Sequence, residues 1–129
     1  MIVCSTAVII LDPPAAPIVI ILFPSLSIIS EGTGIAIIDD NTIQKANLDP
    51  NTIDLVIVAT ATPDMKAAST ASYTATKIGA NNAFSFDMDS ACSGFLFGMS
   101  TAASFIESGR YKKVLLIGAD KMSSIVNYN

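Results

Sequence analysis

The sequence has no histidine and no tryptophan, and among its 129 residues it has only one arginine and two cysteines. The missing histidine removes the commonest general base, and with it zinc sites of the Cys/His kind. Two cysteines, Cys4 and Cys92, do not make a disulfide framework. A reduced, cytoplasmic setting is therefore expected. Charged residues make up only 14% of the chain and the net charge is −4, so no basic face advertises nucleic-acid binding. Methionines such as Met65, Met88, Met99 and Met122 have no cysteine or histidine neighbours and read as core filling rather than metal ligands. No metal site is expected.

What is abundant is apolar residue, at 51% of the chain. That excludes a disordered chain and implies a substantial core for one compact domain. Composition divides the sequence near residue 31. Residues 1–30 carry a single charge, Asp12, and four prolines, Pro13, Pro14, Pro17 and Pro24. The uncharged run over 13–30 approaches the roughly 20 residues of a membrane helix. Pro17 and Pro24 interrupt it, and no basic flank orients it. A secretory signal would want a positive n-region, and no basic residue precedes Lys45. A membrane anchor is accordingly not expected. The segment reads instead as a buried strand over 1–11 and a second apolar strand over 18–23. Its composition is so unlike the remainder that a non-native origin, such as a shifted reading frame, is an alternative.

Residues 31–129 read as an α/β domain. Gly32-Thr33-Gly34 is an ordinary turn, because no strand–GxGxxG–helix context surrounds it. Ile35, Ile38 and Ala46 suggest a helix over 35–47. Leu55-Val56-Ile57-Val58-Ala59 is a continuous apolar run of strand length, as expected of a strand covered on both faces. Ala71, Thr74, Ala75 and Ile78 mark a helical face that Lys77 and Gly79 close. Phe84, Phe86 and Met88 alternate with Ala83, Ser85 and Asp87, which predicts a half-buried strand over 83–87. Phe95, Met99, Ala102 and Ile106 mark a second amphipathic helix ended by Gly109, and Val114-Leu115-Leu116-Ile117 a further buried strand. Helices separating apolar strands imply βαβ units and a mainly parallel sheet.

In such sheets, sites lie beyond the carboxyl ends of the strands. Cys92 stands there, in Asp87-Met88-Asp89-Ser90-Ala91-Cys92-Ser93-Gly94-Phe95, where a helix is predicted to begin at the thiol. The unpaired N–H groups and positive dipole end of a first helical turn favour a thiolate and can hold an oxyanion. The competing reading is a small buried hydrophobe. Asp87 and Asp89 form either a carboxylate pair or, more simply, acidic groups at a turn and helix N-terminus. Arg110, Lys112 and Lys113 read as a solvated loop, with contact to an anionic partner as the alternative. A thiol nucleophile also needs a proton acceptor, and no histidine is present to supply it.

Collinear motifs over about residues 45–129 resemble the N-terminal half of β-ketoacyl-acyl carrier protein synthase III, of the thiolase-like superfamily. They are Lys45-Ala46-Asn47-Leu48-Asp49-Pro50, Ile53-Asp54-Leu55-Val56-Ile57-Val58-Ala59-Thr60-Ala61-Thr62-Pro63-Asp64-Met65, and Asn82-Ala83-Phe84-Ser85-Phe86-Asp87 through Ala91-Cys92-Ser93-Gly94-Phe95. Phe105-Ile106-Glu107-Ser108-Gly109-Arg110-Tyr111-Lys112-Lys113-Val114 and Gly118-Ala119-Asp120-Lys121-Met122-Ser123-Ser124 complete the set. The resemblance implies a thiolase-like fold, in which two similar α/β halves share a five-layer α-β-α-β-α arrangement. It implies that Cys92 accepts a short acyl group from acyl-coenzyme A, and that its backbone N–H forms half of an oxyanion hole. Malonyl-acyl carrier protein would then be decarboxylated and condensed with the acyl group, in fatty acid biosynthesis. Coenzyme A enters as part of a substrate; no cofactor is implied and no residue is assigned to binding one. It also implies a homodimer paired through the strand at Ala83 to Asp87, and a loop over 63–70 that reaches toward the partner's acyl pocket. Lys66-Ala67-Ala68-Ser69 departs there from the family's proline-containing pattern.

The histidine and asparagine that drive decarboxylation in the family belong to its C-terminal half, and the tryptophan and arginine that grip the coenzyme A adenine have no match here. The chain is thus expected to be a fragment, inactive in isolation. The rival readings are an inactive or dimerising remnant, and another condensing enzyme of the superfamily such as a hydroxymethylglutaryl-coenzyme A synthase or a polyketide-type synthase.

Overall fold

A computed structural model describes residues 7–11, 43, 48–63 and 65–120. The strand expected at 18–23 and most of the helix expected at 35–47 lie outside the described residues. Four strands, β1 (Ala7–Leu11), β2 (Leu55–Ala59), β3 (Phe84–Met88) and β4 (Val114–Gly118), form one sheet in the order β1-β4-β2-β3. β2 pairs in parallel with β3 and with β4, and β1 runs antiparallel to β4. The sheet is therefore mainly parallel. Two helices, α1 (Thr70–Lys77) and α2 (Gly94–Glu107), make the crossovers.

The order of the strands places the helices. The chain moves from β2 outward to β3 through α1, then back past β2 to β4 through α2. Right-handed crossovers in opposite directions put their helices on opposite faces. The core divides accordingly. Val56 and Val58 of β2 and Leu115 and Ile117 of β4 pack with Ala71, Ala75 and Ile78 on the α1 face. Leu55, Ile57, Val114 and Leu116 pack with Ala102 on the α2 face, where Phe86, Met88, Phe95 and Met99 also lie. A strand covered on both faces has no polar side to alternate with, which is why β2 and β4 read as unbroken apolar runs. Each is buried along its length, apart from the final Gly118.

Local chemistry sets the ends. Ser69 caps α1, its hydroxyl accepting from the Ser72 N–H at 3.2 Å. Gly79 follows α1 with φ +83°, and Gly109 follows α2 with φ +69°, the left-handed geometry that ends helices and that glycine adopts without strain. Asp54 pins the entry to β4 by accepting from the backbone N–H groups of Lys112 (2.8 Å) and Lys113 (2.9 Å).

β3 begins one residue later than the alternation predicts. Ala83 is held in the preceding turn, its N–H donating to the Ala80 carbonyl, and pairing starts at Phe84 opposite Leu55. The phase of the alternation is as expected from Phe86 onward, with Phe86 and Met88 against the α2 face. Phe84 is 63% exposed. Among the described residues, β3 pairs only with β2, so its other edge is unpaired.

Asp87 is neither half of a carboxylate pair nor a solvated turn residue. Its side chain points to the α1 face, where it accepts from the Ser69 hydroxyl (3.1 Å) and from the backbone N–H groups of Thr70 (2.7 Å) and Ala71 (2.7 Å). A carboxylate at a helix N-terminus satisfies orphan donors and complements the dipole. Asp87→Ala is expected to cost about 2–3 kcal/mol in urea unfolding, because three charge-assisted bonds are lost and two backbone donors are left unpaired. Asp87→Asn, which keeps an acceptor, is expected to lose roughly half as much. A neutral Asp87→Ala would refute the capping role.

Candidate active site

The three parallel strands end in register, with Ala59 opposite both Met88 and Gly118. The chains leaving β2 and β3 then part, one toward α1 and one toward α2, on opposite faces. Functional residues of open α/β sheets gather beyond the carboxyl ends of such strands. Cys92 lies in the segment that leaves β3 there. It is exposed and unbridged. Cys4 lies outside the described residues.

The predicted helix start at the thiol is corrected by the structure. Cys92 occupies a 3₁₀ turn, Ala91–Ser93, and α2 proper begins at Gly94. The turn is closed by the Ser93 N–H donating to the Ser90 carbonyl (3.1 Å) and the Gly94 N–H to the Ala91 carbonyl. The Ser93 hydroxyl also donates to the Ser90 carbonyl at 2.9 Å. The Cys92 N–H has no acceptor among the described residues. A thiol and a free N–H on one residue, at the approach to a helix N-terminus, suit attack on a carbonyl and retention of its oxyanion.

Two features hold the turn. Ala91 has φ +44°, the only positive value among the described non-glycine residues. An alanine there stores of the order of 1 kcal/mol. Ala91→Val is expected to cost about 1–2 kcal/mol, because a β-branched side chain fits the left-handed region worst. Ala91→Gly is expected to be neutral or stabilising by up to about 1 kcal/mol. Urea unfolding of both variants checks this, and an unchanged midpoint for Ala91→Val would refute the strain. The second feature is close packing behind the turn. A Cβ on Gly94 would stand 3.5 Å from the Ala59 Cβ and 3.8 Å from the Met88 carbonyl oxygen, and one on Gly118 only 2.7 Å from the Phe95 ring. Small residues let the start of α2 lie directly on the strand ends.

Residues 60–62 follow β2 at the same end of the sheet. The Thr60 N–H donates to the Met88 carbonyl at 3.0 Å, and the Ala119 N–H to the Ala59 carbonyl at 3.0 Å. The Asp120 carboxylate accepts from the Ala61 N–H (2.8 Å) and the Thr60 hydroxyl (3.3 Å), and the Thr60 hydroxyl accepts from the Thr62 N–H (3.1 Å). Sequence reasoning missed Thr60 and Asp120 at this end of the sheet. The available signal was positional, since each follows the end of a buried parallel strand.

Asp89 stays beside the turn, accepting a long 3.4 Å bond from the Ala91 N–H. It does not pair with Asp87, which faces α1. Arg110, Lys112 and Lys113 lie before β4, at the far end of the sheet from Cys92. Among the described residues, no three histidine, cysteine, aspartate or glutamate side chains are grouped to hold a metal ion. No helix among them is long and apolar enough to cross a membrane.

A family model for 3-oxoacyl-[acyl-carrier-protein (ACP)] synthase III matches residues 86–129, from within β3 through Cys92 to the last residue. A β-ketoacyl-[acyl-carrier-protein] synthase III 2 of Bacteroides thetaiotaomicron is 59% identical over 86 residues, which are 67% of this chain and 26% of that protein. A β-ketoacyl-[acyl-carrier-protein] synthase III of Chlorobaculum tepidum is 54% identical over 86 residues, with the same coverage. Among solved structures, the 3-oxoacyl-[acyl-carrier-protein] synthase III of Aquifex aeolicus superposes with a TM-score of 0.64 at 42% identity, over 67% of this chain and 28% of that one. The priming β-ketosynthase of the R1128 polyketide biosynthetic pathway superposes with a TM-score of 0.62 at 35% identity, over 66% and 25%. The chain thus spans about a quarter of the length of the curated relatives it matches. Over that segment it is homologous to β-ketoacyl-acyl carrier protein synthases III, and its architecture is part of a thiolase-like α/β fold.

Proposed function

We propose that this chain carries the nucleophile of a β-ketoacyl-acyl carrier protein synthase III-type condensing enzyme, with Cys92 as the acyl acceptor. The observation that carries the reading is the exposed Cys92 in the turn just past the end of β3, inside the segment matched by the family model. The Cys92 thiolate attacks the thioester carbonyl of a short acyl-coenzyme A. A new carbon–sulfur bond forms and the carbonyl electrons move onto oxygen, where the Cys92 N–H contributes one donor. Collapse expels the coenzyme A thiolate. Malonyl-acyl carrier protein then loses carbon dioxide, and the resulting carbanion attacks the acyl-cysteine. Cys92 leaves as the thiolate, and the product is a β-ketoacyl-acyl carrier protein.

The sequence has no histidine, so the groups that take up protons and drive decarboxylation come from outside these 129 residues. The chain by itself is therefore read as incompetent for turnover. The edge of β3 that no described residue pairs with fits a homodimer joined through that strand, with β3 pairing across a twofold axis to extend the sheet. A cytoplasmic location goes with these substrates.

The test is a chimera. The homologous segment of the Bacteroides thetaiotaomicron synthase is replaced by that of this chain, and the product is incubated with acetyl-coenzyme A. The expected result is one acetyl group on Cys92 by mass spectrometry, and condensation when malonyl-acyl carrier protein is added. A folded chimera that acquires no acetyl group would overturn the proposal and favour an inactive remnant. Stoichiometric acetylation of the isolated chain would instead overturn the incompetence assigned to it.

A further inference from the structure

We infer that Thr60 and Asp120 are positioning residues for Cys92: together they lock the 60–62 segment against the strand ends and, through the Met88 carbonyl, steady the turn that bears the thiol. The inference rests on the reading of Cys92 as a nucleophile and adds two residues that act on it through the backbone.

The geometry is a short closed circuit. Thr60 is only 7% exposed. Its hydroxyl donates to Asp120 and accepts from the Thr62 N–H, while Asp120 also takes the Ala61 N–H. One side chain pair thereby satisfies two successive backbone donors just past the end of β2. The same residue, Thr60, donates its own N–H to the Met88 carbonyl. Met88 is the last residue of β3, and only Asp89, Ser90 and Ala91 separate it from Cys92. On the other side of the thiol, Gly94 lies against Ala59 and the Met88 carbonyl. The turn bearing Cys92 is thus held at both ends by Ala59, Thr60 and Met88.

The function of such a circuit is rigidity where a rate depends on geometry. A loop that leaves a strand end without side-chain bonds samples many positions, and a nucleophile beside it faces a variable approach. Asp120 is also anchored independently of the loop, since it follows β4 two residues beyond Gly118, and β4 is a central strand. The loop is therefore tied to the most buried part of the sheet rather than to its neighbour alone.

The experiment measures alkylation of Cys92 by iodoacetamide in the folded full chain, read on the Cys92 peptide so that Cys4 is not counted. Thr60→Val and Asp120→Ala are each expected to change the rate constant by at least about 3-fold, and the double variant by no more than the larger single change, as residues of one unit behave. Thr60→Ser, which keeps the hydroxyl, is expected to stay within about 2-fold of the parent. A purely structural role would lower the urea midpoint and leave the folded-state rate alone; that result in Thr60→Val overturns the inference. A second measurement needs no variant. Capping the Cys92 sulfur is expected to change amide exchange at Ala61 and Thr62 by at least about 3-fold, because the 60–62 segment and the turn are joined through Met88. Unchanged exchange there also overturns it. A chimera that fails to acetylate while this coupling holds would sink the proposed function alone; acetylation without the coupling would sink only the role of Thr60 and Asp120.

Discussion

Cys92→Ala in the chimeric synthase is expected to reduce acyl-enzyme formation by at least about 10³-fold, the scale on which removing a nucleophile acts. The reason is chemical rather than structural. Cys92 is exposed and makes no bridge, so truncating it leaves no cavity and no unpaired buried group. Unfolding is expected to shift by no more than about 0.5 kcal/mol, as for other exposed substitutions. Loss of acyl transfer with unchanged stability is the signature that separates a nucleophile from a core cysteine. Cys92→Ser provides the sharper control. It preserves size, hydrogen bonding and the turn, but a hydroxyl is a weak nucleophile unless an adjacent base takes its proton, and no such base is placed beside Cys92 among the described residues. The serine variant is therefore expected to be as silent in acetyl labelling as the alanine variant. Decarboxylation of malonyl-acyl carrier protein breaks a bond in the second substrate with groups outside this segment, so it is expected to persist in both. Acetyl labelling at the parent level in Cys92→Ala would place the acceptor elsewhere.

How much of this was legible in the residues depends on how local the cause is. β2 and β4 were legible because burial on both faces leaves an unbroken apolar run, and their predicted residues match the observed strands to within one position. The end of α1 was legible because Lys77 and Gly79 are local signals. The start of β3 was misjudged by one residue, since Ala83 continues the alternation in sequence while a turn bond to Ala80 removes it from the ladder. The helix N-terminal reading of Asp87 holds, but for α1 rather than for the helix that follows it, because its partners, Ser69 to Ala71, lie 16 to 18 residues away and on another element. No local pattern announces a cap supplied by a neighbouring strand. The same holds for Asp120 and Thr60, which are 60 residues apart and meet only because β2 and β4 are adjacent. Cys92 could be singled out because strand end, small turn and amphipathic helix are contiguous there. Its 3₁₀ turn could not, because Ala91, a residue type that does not favour the left-handed region, adopts it there.

Leu116→Ala is expected to cost about 2–5 kcal/mol, the range for emptying a buried leucine site. Leu116 is 1% exposed and sits on the α2 face of a central strand. The more informative variant adds Gly98→Ala. Gly98 is on α2, and a Cβ there would stand 2.6 Å from Leu116 Cδ1, 3.5 Å from Cδ2 and 3.6 Å from Cγ. All three of the nearest atoms belong to one side chain. In the parent, alanine at 98 gains about 1 kcal/mol of helix propensity but must displace a close-packed leucine, at a cost of about 1–3 kcal/mol. The net effect is expected to be destabilising. With Leu116 truncated, the obstructing atoms are gone, and the new methyl occupies part of the vacated space. Gly98→Ala is then expected to stabilise by about 1 kcal/mol, so the two substitutions couple by about 1–3 kcal/mol. Urea unfolding of the parent, both single variants and the double variant measures this cycle. Equal effects of Gly98→Ala in both backgrounds would show that α2 does not rest on Leu116. The same seat bears on the chemistry, because α2 continues directly from the turn that holds Cys92. A helix lifted at Gly98 moves its own N-terminus, and through Gly94 and Phe95 it moves the turn. Gly98→Ala alone is therefore expected to alter the alkylation rate of Cys92, and the double variant to restore it toward the parent value.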